Sequence, residues 1–196
     1  MKRSAIGPIV MALAIAMASV VAYAQAAADS KAFVNDLTIA GLAEVQLGKL
    51  AAEHGSSPDV KSFGQMMVKD HTQAANELKP IATELKVQQP TQLDQKHKDL
   101  ADKLSKLRGG EFDREYINAM VMGHEEVAMK LRARVEQKTA AHGEGHAAAS
   151  GSGEQKLTQW ATMVLPTVQK HLERARAILQ QLVHEMGKGL LQRYPQ

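Results

Sequence analysis

The 196-residue chain contains no cysteine. That excludes disulfides, thiolate chemistry and a lipid-bearing cysteine behind a leader. Aromatic residues make up only 4% of the chain, and β-branched residues are scarce, so strands are poorly supplied. No large excess of either charge is present. The formal charge is +3, two of those positives being Lys2 and Arg3, and the remaining lysines alternate with acids along helical faces, as on a solvated surface. Nothing points to nucleic acid. One long apolar run occurs, from about Ala5 to Val21, and it is too short and too rich in alanine for a membrane anchor. With Lys2 and Arg3 before it and Ala22-Tyr23-Ala24 after it, the run reads as a signal peptide, residues 1–24, cleaved near Ala24. The expected location is the periplasm or another exported compartment, with no transmembrane segment in the mature chain.

What the chain has in abundance is alanine, leucine, glutamine, lysine and glutamate, the residues of helices. Residues 25–196 suit a single all-α domain. The first helix is expected from about Ser30 to Glu53, capped by Asp29 or Ser30. Its inward seam, Phe33, Leu37, Ala40, Glu44, Leu47 and Ala51, steps by fours and threes. The second runs from Ser57-Pro58 to about Lys86, with Phe63 or Gly64, then Met67, His71, Ala74, Leu78, Ile81 and Leu85 in the seam and a kink at Pro80. A shorter helix carrying Leu93, His97, Leu100 and Leu104 ends at Gly109-Gly110. The third long helix, Glu111 to Lys138, turns Ile117, Val121, His124, Ala128 and Leu131 inward. Residues 139–153, with His142 and His146, read as a flexible loop. The last long helix, from Glu154 to Met186, places Leu157, Ala161, Val164, Val168, His171, Ala175 and Ile178 in its seam and passes through Pro166. His184 near its end suits the helix dipole. These elements make an up-down four-helix bundle with an extra short helix between the second and third long helices.

Each long helix thus puts one ionisable group where the pattern asks for an aliphatic residue: Glu44, His71, His124 and His171. At 1.5 Å per residue all four lie roughly 18 to 25 Å from a helix end, so they share a central layer. Burying an ionised carboxylate costs several kcal/mol unless a cation or a metal compensates it. Three imidazoles and a carboxylate suit zinc, copper, iron or manganese. Asp70 and Glu125, beside two of the histidines, and Glu126 after them, are candidates to fix imidazole tautomers from outside the ligand set. Met67 and Met120, each one turn from a histidine, are core filler or soft copper ligands. The competing reading is a buried polar network without metal.

Several of these segments resemble a known family. The pattern from Phe33 through Gly41 to Glu44-Val45, Gly48-Lys49-Leu50-Ala51, Met67-Val68-Lys69-Asp70-His71-Thr72, Phe112-Asp113 with Tyr116, His124, and Leu165-Pro166 with His171-Leu172 are similar to those of an exported bacterial family of unknown function. It is often labelled "predicted outer membrane protein" and placed among ferritin-like four-helix bundles. The resemblance implies export and a ferritin-like fold, and it brings no settled activity. Gly123 stands where that family usually has aspartate. Ferritin-like di-iron enzymes use Glu-x-x-His pairs, and this chain has none, which disfavours ferroxidase or oxygenase chemistry; a role without turnover is the expectation. No alternation of barrel strands is present either. Three functions follow: an envelope protein binding one transition metal ion in stress protection or metal handling, a structural protein meeting an envelope partner or its own copy, or, as the weakest of the three, a metal-dependent redox enzyme with a dismutase-like site.

Overall fold

A computed structural model describes the backbone of residues 7–143 and 152–193 and the side chains of residues 25–137 and 152–187. The described residues form five helices and no strand: α1 (Gly7–His54), α2 (Pro58–Glu84), α3 (Gln95–Ser105), α4 (Gly109–Gly143) and α5 (Ser152–Arg193). The four long helices pack in a cycle, α1 on α2, α2 on α5, α5 on α4 and α4 on α1, and α3 lies across α1 and α4. No described helix is long and apolar enough to cross a membrane. The expected helix seams are buried at most positions, because a 3.6-residue period leaves one stripe to bury.

Helix ends depart from expectation. No cap interrupts α1 at Asp29 or Ser30, since the alanines before them favour helix and no breaker intervenes. Ser30 is instead buried, and its Oγ accepts from Arg134 Nη1 at 3.1 Å. At the other end, α5 runs on through Gly187 to Arg193; a single helical glycine costs only ~1 kcal/mol, too little to stop a long helix. The short helix is tighter than its apolar pattern, with Asp94 accepting from the backbone N–H of His97 at 2.9 Å. Helix α4 extends to Gly143, so the expected loop begins later; residues 144–151, with His146, lie outside the described residues. Both Pro80 and Pro166 sit inside continuous helices. Across Pro80 the buried phase slips from the expected Ile81 to Ala82.

Two features fix the α1–α2 corner. Gly48 and Gly64 let the helices approach so closely that a Cβ on Gly64 would lie 2.6 Å from both Ala51 Cβ and Gly48 O. The turn itself is held from α4. Asp113 Oδ2 accepts from Ser57 N at 2.8 Å and Ser56 Oγ at 2.5 Å, and Oδ1 from Ser56 N at 3.0 Å. This explains why Ser57, at the expected cap position, makes no side-chain cap of its own: a neighbouring helix's carboxylate satisfies the exposed N–H groups and suits the positive end of α2. At the opposite end, buried Arg134 joins three helices. It donates to Ser30 of α1 and Glu154 of α5, and its guanidinium lies 5.6 Å from the Phe33 ring centroid.

Two substitutions test this corner. Gly64→Ala gains ~1 kcal/mol of helix preference but meets an overpacking cost of ~1–3 kcal/mol, so the urea midpoint is expected to fall. Asp113→Ala leaves the turn's N–H groups unpaired and is expected to cost ~2–3 kcal/mol. A midpoint unchanged in both variants would contradict this account.

Candidate metal centre

The four helices bring His71 of α2, His124 of α4 and His171 of α5 to one level of the bundle. One ring nitrogen from each lies within 4.8 Å of the other two. Ring centroids are 5.6, 5.6 and 5.5 Å apart. His124 and His171 are 1% and 3% exposed, whereas His71 is only half-buried. The Phe63 ring, two turns before His71, sits 6.3 Å from His124 and 6.5 Å from His171 and covers one side of the cluster. Glu44 of α1 is 5% exposed.

Hydrogen bonds fix which nitrogens are free. His124 Nδ1 lies 2.8 Å from the carbonyl oxygen of Met120, one turn back. A carbonyl only accepts, so Nδ1 carries the proton and Nε2 the lone pair. His171 Nε2 lies 3.0 Å from Asp70 Oδ2, which leaves its Nδ1 as the lone pair by the same reasoning. His124 Nε2, His171 Nδ1 and His71 Nε2 are all buried without a hydrogen-bond partner. Three imidazole nitrogens stripped of water, with two tautomers set from outside, form a ligand set that could hold a metal ion.

Glu44 enters differently from the histidines. Its Oε1 is 3.5 Å from His124 Nδ1, the nitrogen already donating to Met120, so the carboxylate stands on the outer edge of that ring. Its Oε2 is buried and unpartnered, and a Cβ on Gly123 would lie 3.4 Å from Oε1. In this geometry Glu44 supplies charge beside the cluster.

The remaining candidates are placed by helix geometry. Adjacent residues on a helix point about 100° apart, so neither neighbour of a histidine serves that histidine. Asp70 reaches across to His171 and not to His71. Glu125 faces outward and accepts from Arg176 at 2.6 Å, and Glu126 pairs with Lys96 and Lys130; both leave the imidazoles alone. Met67 and Met120 are buried in the core, Met120 contributing its backbone carbonyl to His124. His97 pairs with Asp94 at 2.6 Å, His184 is exposed, and the side chain of His142 lies outside the described residues.

The seam count offers Phe63 as inward, and it covers the layer; two further groups were not evident from periodicity, Gly123 against Glu44 and Tyr116, whose hydroxyl is buried without a partner. Tyr116 stands two turns from His124 on α4. That spacing was available in the sequence, but a single tyrosine at a seam position reads as core.

Burial dominates the titration of the layer. Desolvation lowers the His71 pKa to about 3, with the charges of His124 and His171 adding to it. It also lowers that of His171, partly opposed by Asp70, and raises that of Glu44, opposed by His124 and His97. The Tyr116 hydroxyl is pushed well up by burial and by the negative charge of Glu44. The metal-free fold therefore favours neutral His71 and His171, the state that binds metal.

A linkage prediction follows. A histidine whose folded pKa lies below its unfolded value of about 6.5 takes up its proton more readily when unfolded. Its contribution is flat above that pH and is lost as pH falls towards about 3. For the metal-free protein, wild type is expected to lose stability relative to His71→Gln across that window, by up to several kcal/mol. Parallel curves for the two proteins would remove His71 as the cause. Glu44 acts in the other direction, its raised pKa weakening the fold as pH rises from about 4.5, and the wild-type-minus-variant difference cancels most of that term.

Comparison with curated proteins and with solved structures gives no significant match. A profile described as "Domain of unknown function (DUF4142)" matches residues 16–178, a span that holds Glu44 and all three clustered histidines. By that match the chain belongs to the DUF4142 family of domains of unknown function.

Proposed function

We propose that this protein is an exported, ferritin-like helical bundle that holds one transition metal ion through His71, His124 and His171, and that it serves in metal handling or stress protection in the cell envelope. The observation that carries the reading is the convergence of three imidazoles, each with a buried, unpartnered nitrogen. Leaving such a group unpaired costs ~1–3 kcal/mol, and a metal ion would use all three at once. The donor set suits zinc, copper, iron or manganese. A divalent ion would also compensate the buried Glu44 carboxylate, which the fold otherwise disfavours. Asp70, bonded to His171, would raise that ring's basicity and hold its orientation. Cleavage of residues 1–24 would leave a chain starting near Gln25, with Ser30, Glu44 and the whole layer intact.

A second reading has one observation in its favour. His124 and His171 each already hold one hydrogen bond, so part of the layer is satisfied as architecture that sets helix register. Under that reading, replacing all four polar residues by packed apolar ones would keep the fold at equal or greater stability and leave function intact.

Elemental analysis separates the two. Protein purified from the exported fraction without chelator or affinity tag is expected to carry near one equivalent of a transition metal. The double variant His71→Ala, His171→Ala is expected to carry none, and Asp70→Asn to bind ~10–100-fold more weakly. Unchanged metal content in the double variant would sink the metal reading.

A further inference from the structure

A pocket of about 50 Å³ between the long helices meets the cluster at His71. Its walls come from Leu37, Thr38, Ala74, Trp160, Val164 and Val168, with His71 and exposed Ala75 also in its lining. Carbon covers nearly all of it. Two residues of its lining, His71 and Trp160, each have a buried ring nitrogen, Nε2 and Nε1 respectively, without a hydrogen-bond partner. No hydrogen bond from the described residues holds the His71 ring, in contrast to the other two.

We infer that this pocket admits a small neutral diatomic molecule to the open coordination position of the metal beside His71. The inference rests on the metal reading above and adds the class of ligand. Size sets the first limit: one water needs about 10–15 Å³ of such space, and an engineered cavity of about 150 Å³ takes benzene, so two or three heavy atoms fit here. Polarity sets the second. An anion would lose its hydration against carbon walls and approach the carboxylates of Glu44 and Asp70, whereas a neutral diatomic loses almost none. Three nitrogen ligands leave a transition metal with at least one position for such a molecule. Trp160, whose buried indole N–H has no partner, belongs to the wall, and the slot lies where α5 passes through Pro166.

Two probes test the inference. Xenon, which enters dry apolar cavities, is expected to bind the metal-free wild type at this pocket and to be excluded by Ala74→Leu. Nitric oxide is expected to form a nitrosyl with the ferrous-loaded protein, and Ala74→Leu to weaken it by about tenfold or more with iron affinity unchanged. Val164→Ala, which enlarges the pocket, is expected to raise xenon uptake and serves if Ala74→Leu does not fold. Normal iron uptake with a nitrosyl indifferent to Ala74→Leu, or no xenon in the wild type, overturns this inference and leaves the metal reading standing. Failure to take up iron or any other transition metal removes both.

Discussion

The structure turns on a desolvation cost. Four ionisable side chains sit at one level of a helical core, each with one buried polar atom that no partner meets, and the arrangement around them lowers that cost. The Met120 carbonyl accepts a hydrogen bond from His124 Nδ1 and Asp70 accepts one from His171 Nε2. Phe63 covers the cluster with a ring instead of a cavity. What is left over is specific: one carboxylate oxygen and three ring nitrogens. A core that needed only register could have specified it with one polar residue, and here three helices each contribute a nitrogen to the same small volume.

Rigidity for that layer comes from the ends of the bundle. Asp113 is a buried acid that binds the α1–α2 turn from α4, and Arg134 is a buried base that ties α4 to α1 and α5. Each holds together helices that bring ligands to the layer. The surface ion pairs, such as Arg176 with Glu125 or Lys103 with Glu115, contribute little by comparison. Between the two clamps, the tight Gly48–Gly64 crossing sets the height of α2 against α1. Glu44 and His71, one turn-corner apart in sequence, therefore meet their partners from α4 and α5 at a defined level.

The layer itself was legible because seam spacing is a local property: counting fours and threes places Glu44, His71, His124 and His171 inward without knowledge of any other helix. Pairings between helices were not legible. Asp70 reads as a neighbour of His71, yet helix geometry turns it away and towards His171. Glu125 reads as a neighbour of His124 and turns to solvent for the same reason. Helix ends were misplaced where single residues were weighed as punctuation. Ser30 and Gly187 have the chemistry of a cap and a stop, but the alanine-rich and amphipathic stretches on either side of them favour continuing by more than one residue can oppose. The Phe112-Asp113 pair stood out only as part of a resemblance, since a carboxylate that caps another helix is invisible until the two helices are docked.

The layer is unequal on its four sides, and the inequality bears on what it is for. His124 and His171 are sealed and pinned by hydrogen bonds. His71 is half-buried, unpinned and faces the pocket, and between Met67 and Leu78 α2 presents no fully buried residue. A purely architectural network would be expected to be tightest where it bears on packing, yet α2 is loosest at the one position that belongs to the cluster. On the proposed metal reading, two pinned imidazoles and one unpinned would let the site admit an ion, or a small molecule after it, without opening the bundle. An adjustment confined to that side chain and that small pocket would leave the rest of the core close-packed, with the clamps at either end holding the helices.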